Sequence, residues 1–335
     1  MESRNGMNET WPAEVGMNDS VRSTGGEAAE PYVSVVIPHY NDLAALKNCV
    51  DLLERQTYPR DRFEIVIADN NSKCGLDAVR QAAPTAIVTS APEQGAGPAR
   101  NVGVSISSGE LIALIDSDCQ PDGEWLRRGV EALRSFDFAG GQVIVTCGDE
   151  RRPNAVEAFE LVFAFNFKRY IEKAGFTGTG NMFVSRAVFE AVGPFRAGVS
   201  EDMDWSRRAR AKGYRLGYAP LAIVRHPARR EWHDLRARWS RMLEERYLLQ
   251  REQRFGRMRW AAAALIVPAS VIPHAWRLLR SDRLPRLQNK VGSISVLVRL
   301  RVWRTGKMFL LLLRGAGSER RNFSKKQDHV QSYEG

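Results

Sequence analysis

Four apolar runs that stop at polar or turn-forming residues constrain what this chain can fold into. VSVVIPHYND, FEIVIADNNS and ELIALIDSD are rich in Val, Ile and Leu, and AIVTSAP is a weaker run of the same kind. Such continuous runs are typical of parallel strands buried on both faces. Leu43, Leu46, Val50 and Leu53 recur at helical spacing between the first two runs. The alternation predicts an α/β fold with a doubly wound sheet.

The middle of the chain continues with mixed elements. EWLRRGVEALRSF predicts a helix and AGGQVIVTC a strand, and VEAFELVFAFNFKRYIEK predicts one helix with a broad apolar face. GTGNMFVSRAVFEAVG predicts a short strand and helix. The segment that starts with EDMDWSRR predicts a helix, followed by a strand that ends at His226.

Polar residues end the predicted strands at one edge of the sheet. Tyr40, Asp69, Asp116 and Asp118 all follow apolar runs. Ligands of doubly wound sheets bind at the carboxyl ends of the strands. An isolated D-x-D is equally well explained by two solvated turn residues, so the surrounding motifs have to decide its role.

The order of several motifs resembles the family 2 glycosyltransferases of the GT-A fold. VSVVIPHYND, IVIADNNS, GAGPARNVG, LIALIDSD, GTGNMFVSR and EDMDWSRR carry the resemblance, which covers roughly residues 32 to 250. It implies the fold of nucleotide-diphospho-sugar transferases, a doubly wound mixed sheet flanked by helices. It also implies inverting transfer of a sugar (EC 2.4) from a nucleotide-diphosphate donor to a hydroxyl acceptor, in polysaccharide or glycolipid assembly. DNNSKC departs from the family because it lacks a second acidic residue.

The resemblance assigns a metal site. Asp116 and Asp118 match the family's DxD motif, with Asp118 as the usual ligand of Mg²⁺ or Mn²⁺ and Asp116 leaning toward the ribose or sugar. A hard cation of this kind neutralises a polyanionic diphosphate. His226 matches the place of a third ligand, although a lone histidine is more often structural.

Nucleotide contacts follow from the same resemblance. Asp69 matches an aspartate that accepts hydrogen bonds from the base, commonly uracil, which favours a UDP-sugar donor. Pro38 and Tyr40 match a loop that packs on the base, and an aromatic ring there suits stacking. A core position for Tyr40 is an equal alternative. Arg100 matches an arginine near the nucleotide.

Glu201 and Asp202 match the family's ED pair, whose aspartate is the general base in inverting members. The base must take the proton of the acceptor hydroxyl as the sugar is transferred. Asp204 and Arg208 fit an ion-paired scaffold. The alternative is an acidic helix start that is favoured only by the helix dipole.

Charge divides the chain into two parts. Residues 1 to 204 hold 19 Lys and Arg against 30 Asp and Glu, and residues 205 to 335 hold 30 against 9, so the net charges are −11 and +21. WAAAALIVPASVIPHAW and SISVLVRLRVWRTGKMFLLLL are marginal or too charged to cross a bilayer. Basic amphipathic helices on an anionic membrane surface suit both stretches, and ordinary packing helices are the alternative. The side chains expected to insert are Trp260, Leu265, Ile266, Leu297 and Trp303.

These observations predict four regions. Residues 1–30 form a disordered tail, 31–250 the GT-A domain, 251–315 membrane-associated basic helices, and 316–335 a flexible C-terminal tail. Four scattered cysteines without zinc spacing indicate a reduced compartment. The expected location is therefore cytoplasmic, peripheral at the cytoplasmic face of the membrane, near a carbohydrate or lipid-linked acceptor.

Two other functions remain open. A nucleotidyltransferase also uses paired aspartates, but it usually has a basic Gly-rich first turn, which PHYNDLAALK lacks. The other alternative is an anionic-lipid- or nucleic-acid-binding protein with an inactive α/β domain. No specific nucleic acid is expected, because no groove-reading motif accompanies the basic segment.

Overall fold

The apolar runs form one mixed sheet. The computed structural model describes residues 30–314, and its eight strands are hydrogen-bonded in the order β3-β2-β1-β4-β7-β6-β8-β5. The strands are β1 (Val33–His39), β2 (Phe63–Asp69), β3 (Ile87–Ser90), β4 (Leu111–Ile115), β5 (Gln120–Pro121), β6 (Phe138–Thr146), β7 (Asn181–Ser185) and β8 (Leu216–Pro227). The first four are parallel, and β7 runs antiparallel to β4 and β6. The predicted mixed α/β sheet is confirmed.

Helices cover both faces of the sheet. Those before β8 are α1 (Leu43–Leu53), α2 (Gly75–Ala82), α3 (Ala96–Ile106), α4 (Trp125–Ala132), α5 (Ala155–Phe163), α6 (Phe167–Arg169), α7 (Arg186–Val192) and α8 (Glu201–Ala211). Val35 of β1 packs in one core with residues of α1, α2 and α4, whereas Val36 packs in the other with α3, α7 and α8. Successive strand residues point to opposite faces, so a run that is apolar throughout fills both cores.

The segment VEAFELVFAFNFKRYIEK is not one helix, so that prediction is wrong. The chain breaks after α5 at Phe165, whose φ is 54°, and continues as α6 and a π turn at Tyr170–Ala174. One straight helix could not bury so broad an apolar face. The break lets Phe167 reach a buried position of its own and frees the Phe165 ring for other contacts.

The basic C-terminal third is helical and shares its core with the rest of the protein. Its helices are α9 (Trp232–Arg251), α10 (Gly256–Ile266), α11 (Val271–Leu279) and α12 (Leu287–Arg314). Leu235, Leu278 and Leu297 pack in one cluster with Phe159 of α5. From Pro31 onward the described chain is one compact unit, so the predicted division at 250/251 marks a change of composition without a break in packing. The predicted tails lie outside the described residues, apart from Glu30.

The predicted membrane-inserting side chains separate into two groups. Trp260 and Leu297 are buried and Trp303 is partly buried, so their prediction as inserting residues is wrong. Their side chains face α9 and α5, which the sequence pattern could not show. Leu265 and Ile266 are 69% and 66% exposed, so their insertion into a membrane stays a prediction.

Candidate active site

The sheet topology brings distant motifs to one edge. The strand order reverses between β1 and β4, where ligands of doubly wound folds bind. After Asp118 the chain crosses to pair β5 with the end of β8, so that Gln120 lies opposite Arg225. This pairing places Asp118 beside His226, although 108 positions separate them in the sequence.

Asp118 and His226 form a close pair with a defined proton arrangement. His226 Nε2 lies 3.1 Å from Asp118 Oδ2, and His226 Nδ1 lies 2.7 Å from the carbonyl oxygen of Pro227. That carbonyl can only accept, so Nδ1 is the donor, and Nε2 is left facing the carboxylate. Burial raises the pKa of Asp118, but the contact with His226 and the charge of Arg229 bring it below its usual value. The pair therefore favours a positive charge between its two members.

Arg100 links the two acidic motifs. Its guanidinium donates to Asp116 Oδ1 at 2.5 Å and to Glu201 Oε1 at 3.0 Å, and the residue is only 2% exposed. α3 lies close enough to make this contact because Gly97 has no side chain; a Cβ there would stand 3.3 Å from Glu201. A Cβ at Gly180 would lie 2.5 Å from Asp116 Oδ2. The GTGN segment, residues 178–181, can therefore approach Asp116 only with a glycine at position 180.

Asp202 lies in the first turn of α8, where the helix dipole and two donors hold it. Its Oδ1 accepts bonds from the Ser200 hydroxyl at 3.0 Å and the Met203 amide at 2.7 Å. Burial, together with the neighbouring charge of Glu201, nevertheless raises the pKa of Asp202 to about 6. A carboxylate in this state is ionised at neutral pH and is a stronger proton acceptor than an ordinary aspartate.

A third acidic residue stands near this pair and was missed from the sequence. Burial and the charges of Glu201 and Asp202 raise the pKa of Glu245, on α9, to about 8. Glu245 is therefore mostly protonated at neutral pH. No local motif marks it, because Glu245 lies 43 positions beyond Asp202, on a different helix.

The predicted scaffold pair is confirmed. Asp204 is buried and pairs with Arg208 at 2.9 Å and with Arg196 at 3.1 Å. These ion pairs fix the first turn of α8, which also carries Asp202.

Asp69 is engaged inside the protein. Its Oδ1 lies 2.9 Å from His39 Nδ1 and accepts the Ser72 hydroxyl at 2.5 Å, while Oδ2 accepts the Ser72 amide at 3.0 Å. At 2% exposure, its carboxylate offers little surface to a base. Tyr40 is 50% exposed, so it is not a core residue, and Pro38 lies in β1 opposite Ala68. Asp69 joins the ends of β1 and β2 below this surface.

Two further residues organise the edge and were missed from the sequence. Asn181 is fully buried; its side chain donates to Gln142 and Ala222 and accepts from the Trp125 indole, joining β6, β8 and α4. The strained Phe165 has its ring 4.4 Å from that of His226, and Arg238 stacks on it at 4.1 Å. Only the nearby GTGN motif hinted at Asn181, and nothing in the pattern marked Phe165.

Across residues 30–314, no three or more His, Cys, Asp or Glu side chains converge in a group that could hold a metal ion. Asp118 and His226 supply two ligand atoms. Further ligands of a cation bound there would have to come from a substrate or from water, which is usual for Mg²⁺ at phosphate sites.

Comparisons with known proteins identify the family. The profile of "Glycosyl transferase family 2" matches residues 34–193, which include Asp69, Arg100, Asp116 and Asp118 and end before Asp202. Glycosyltransferase AglE of Haloferax volcanii is 36% identical over 211 residues, covering 59% of this chain and 68% of its own length. Beta-monoglucosyldiacylglycerol synthase of Synechocystis is 28% identical over 255 residues, or 67% of this chain and 51% of its own length.

A solved structure shares the fold. The mannosyltransferase PcManGT from Pyrobaculum calidifontis, in complex with GDP-Man and Mn²⁺, superposes with a TM-score of 0.52 at 18% identity. The match covers 82% of this chain and 88% of the other. At this identity the likeness concerns the fold alone.

Proposed function

The chain belongs to the family 2 glycosyltransferases, and from its site we propose inverting transfer of a sugar from a nucleotide-diphosphate donor to an acceptor hydroxyl. Family membership decides for a glycosyltransferase over the nucleotidyltransferase alternative. The observation that carries the proposal is the Arg100 bridge. One buried guanidinium bonds both to Asp116 and to Glu201, so the segment holding Asp118 and the segment holding Asp202 are joined at one edge. A donor diphosphate and an acceptor hydroxyl would meet between these two segments.

Asp118 and His226 are the residues that would hold a divalent cation. Their fit is supported by the geometry of His226, whose Nδ1 is engaged by the Pro227 carbonyl oxygen while Nε2 is directed at Asp118 Oδ2, 3.1 Å away. One nitrogen and one oxygen suit Mn²⁺ better than Mg²⁺. When bound, such a cation neutralises the charge that develops on the leaving diphosphate. Asp116 is committed to Arg100 through Oδ1, so we assign it to orienting the segment and the donor sugar.

Asp202 performs the proton transfer in this proposal. The acceptor oxygen forms a bond to the anomeric carbon on the face opposite the diphosphate, whose bond to that carbon breaks. The hydroxyl proton passes to Asp202, and the configuration inverts. Ser200 and Met203 already bond to Oδ1, so Oδ2 is the oxygen proposed to take the proton. Glu201 is held by Arg100, and its charge raises the pKa of Asp202, which favours proton uptake.

The nucleobase would pack on Tyr40. Its exposed ring at the end of β1 supports this assignment, since a planar base can stack on it. Asp69 would act indirectly by holding His39 and Ser72 in place. The preference for a UDP-sugar rests only on the family resemblance at Asp69. Because the Asp69 carboxylate is buried, the structure adds no support for a direct contact with uracil. The base is therefore best decided by comparing uridine and guanosine nucleotides directly.

The acceptor is proposed to be a carbohydrate or a lipid-linked sugar at the cytoplasmic face of a membrane. One relative is named as a glycolipid synthase. All four cysteines of this chain are free, which agrees with a reduced compartment.

Isothermal titration of UDP and GDP with and without Mn²⁺ tests the donor site. We expect one of the two diphosphates to bind with a strong dependence on Mn²⁺, because the Asp118 and His226 pair needs a positive charge. A panel of sugars on the preferred nucleotide should then show slow donor hydrolysis for one of them. AMP serves as a control that lacks the diphosphate. Binding that ignores Mn²⁺, or no binding of either nucleotide, would contradict the proposal.

Activity should fall as the pH drops through about 6. Asp202 must be ionised to accept a proton, and its pKa is raised to about 6; an ordinary aspartate would stay ionised to about pH 4. The measurement is kcat/KM against pH at saturating Mn²⁺, since metal binding is itself pH-dependent. Mn²⁺ affinity is titrated in parallel as the control. A rate that stays level down to pH 5 while Mn²⁺ remains bound would remove Asp202 from the role of base.

A further inference from the structure

An apolar stripe runs along the outer side of α10 and α11. Met258, Leu265, Ile266, Ile272, Trp276 and Leu279 are exposed, at fractions from 41% to 78%. Within each of the two helices their spacing keeps them on one side. Trp260, Ala264 and Leu278 point the other way into the core. The stripe is therefore a surface that the protein's own core leaves uncovered.

α12 carries a second stripe of the same kind. Val291, Val298, Val302, Phe309 and Leu313 follow one another at intervals of seven, four, seven and four residues, which is one helix face. All five are exposed, and Val302 is 70% exposed. The opposite face packs inward through residues that include Leu297, Leu300 and Met308. Both stripes thus face away from the clusters that hold α9 and α5.

The charges around these stripes are almost all positive. Residues 254 to 314 contain 13 Lys and Arg and one acidic residue, Asp282. No Asp, Glu, Lys or Arg interrupts the sequence between Arg259 and Arg277. His274 lies in this interval, and burial together with the charge of Arg301 lowers its pKa, so the ring is neutral at pH 7. An apolar band is therefore bounded at both ends by arginines.

The shape of this region does not suit a straight membrane span. Of the helices between residues 30 and 314, none alone is long and apolar enough to cross a bilayer. Gly256–Ile266 and Pro268–Leu279 pass the same test only as a pair, bent by 45°. Because Trp260 and Ala264 on the inner face pack against the protein, only the outer side is free to meet lipid.

We propose that the outer face of α10, α11 and α12 docks on an anionic lipid bilayer, with the bent pair lying in the interface. Exposed apolar side chains would enter the headgroup boundary, and the flanking arginines would pair with lipid phosphates. A second copy of the chain is a poorer occupant. A two-fold contact would set the same basic surface against itself, and like charges would repel.

Vesicle sedimentation of the full chain tests this surface without relying on enzyme activity. The vesicles are phosphatidylcholine alone or phosphatidylcholine mixed with phosphatidylglycerol. We expect binding only with phosphatidylglycerol, and weaker binding as salt screens the charge. Leu265→Glu with Ile272→Glu should weaken the partition coefficient at least about tenfold, because two apolar side chains that would enter the headgroup boundary are replaced by anionic ones. Leu221→Glu, at a 60% exposed position on β8, is the matched control and should bind like the parent.

Two measurements keep the outcome decisive. The substituted side chains are exposed, so circular dichroism and Tm should be unchanged, which separates lost docking from lost folding. Brominated lipids should quench fluorescence in the parent and less in Trp276→Phe. Full-length protein that ignores anionic vesicles at low salt would overturn the proposal. The proposal would also be overturned if sedimentation equilibrium showed that the parent is a dimer, that the two glutamate substitutions dissociate it, and that the variant still binds vesicles.

Discussion

Asp202→Asn is expected to lower the transfer rate by about 10²–10⁴-fold while nucleotide and Mn²⁺ binding stay close to those of the parent. The amide keeps the size of the side chain and can still accept bonds from Ser200 and Met203. It cannot take the acceptor proton at neutral pH. The rate is measured with the donor identified by the panel and a hydroxyl acceptor, and binding is measured by calorimetry.

Stability distinguishes this role from a structural one. The pKa of Asp202 is raised to about 6, so its ionised form costs the folded state stability above that pH. Asp202→Asn should therefore raise Tm at pH 7.5, and the gain should vanish as the pH falls through 6 toward 4. Asp204→Asn, on the same helix, is the control and should lower Tm because it weakens the ion pairs with Arg208 and Arg196. If Asp202→Asn retained most of its turnover and lost stability, Asp202 would be a cap of α8.

The sheet could be predicted because its information is local. An apolar run in the sequence predicts a strand such as β1, and the polar residue after it predicts where the strand ends. Ligands of doubly wound sheets bind at the carboxyl ends of the strands, so Asp69, Asp116 and Asp118 could be placed at one edge. The resemblance then added Glu201 and Asp202 by motif. The pattern and the resemblance together predicted which residues lie at this edge. They did not predict the contacts among those residues.

The contacts depend on partners far away in the chain. Arg100 was expected near the nucleotide, yet its guanidinium is held by Asp116 and by Glu201, which is 101 positions distant. His39 holds Asp69 from a neighbouring strand, and Glu245 approaches Asp202 from α9. No local spacing encodes such pairs, since they exist only after the sheet and the helices have packed.

The C-terminal helices show a related limit. Their apolar stretches were evident, but a helix that is apolar on several sides does not reveal which side is buried. Trp260 and Leu297 pack against α9 and α5, and this packing determines which side of each helix is buried. Leu265 and Ile266 lie on the exposed side. Phe165 is a harder case, because a positive φ is uncommon for a bulky residue and its partners, His226 and Arg238, lie on β8 and α9.

Asp118→Ala should weaken Mn²⁺-dependent nucleotide binding by about 100-fold or more, because removal of even an outer partner of a metal ligand typically costs 10–100-fold. His226→Ala should follow in the same direction with a smaller loss, since a water molecule can replace one neutral ligand. Both effects are read from calorimetric titration of the preferred nucleoside diphosphate with Mn²⁺. Titration without metal should show little difference from the parent.

Asp116→Ala is the matched control, because it removes the other aspartate of the same motif. Asp116 Oδ1 is engaged by Arg100, whereas Asp118 Oδ2 faces His226 Nε2, so the two carboxylates present different partners to a cation. We expect Asp116→Ala to leave most of the Mn²⁺ dependence intact and to lower Tm, since Arg100 loses one of its two partners while 2% exposed. Equal losses of Mn²⁺-dependent binding in the two variants would show that both aspartates ligate the metal. In that case the Arg100 bridge would have to open when the donor binds, and Glu201 would become its remaining anchor.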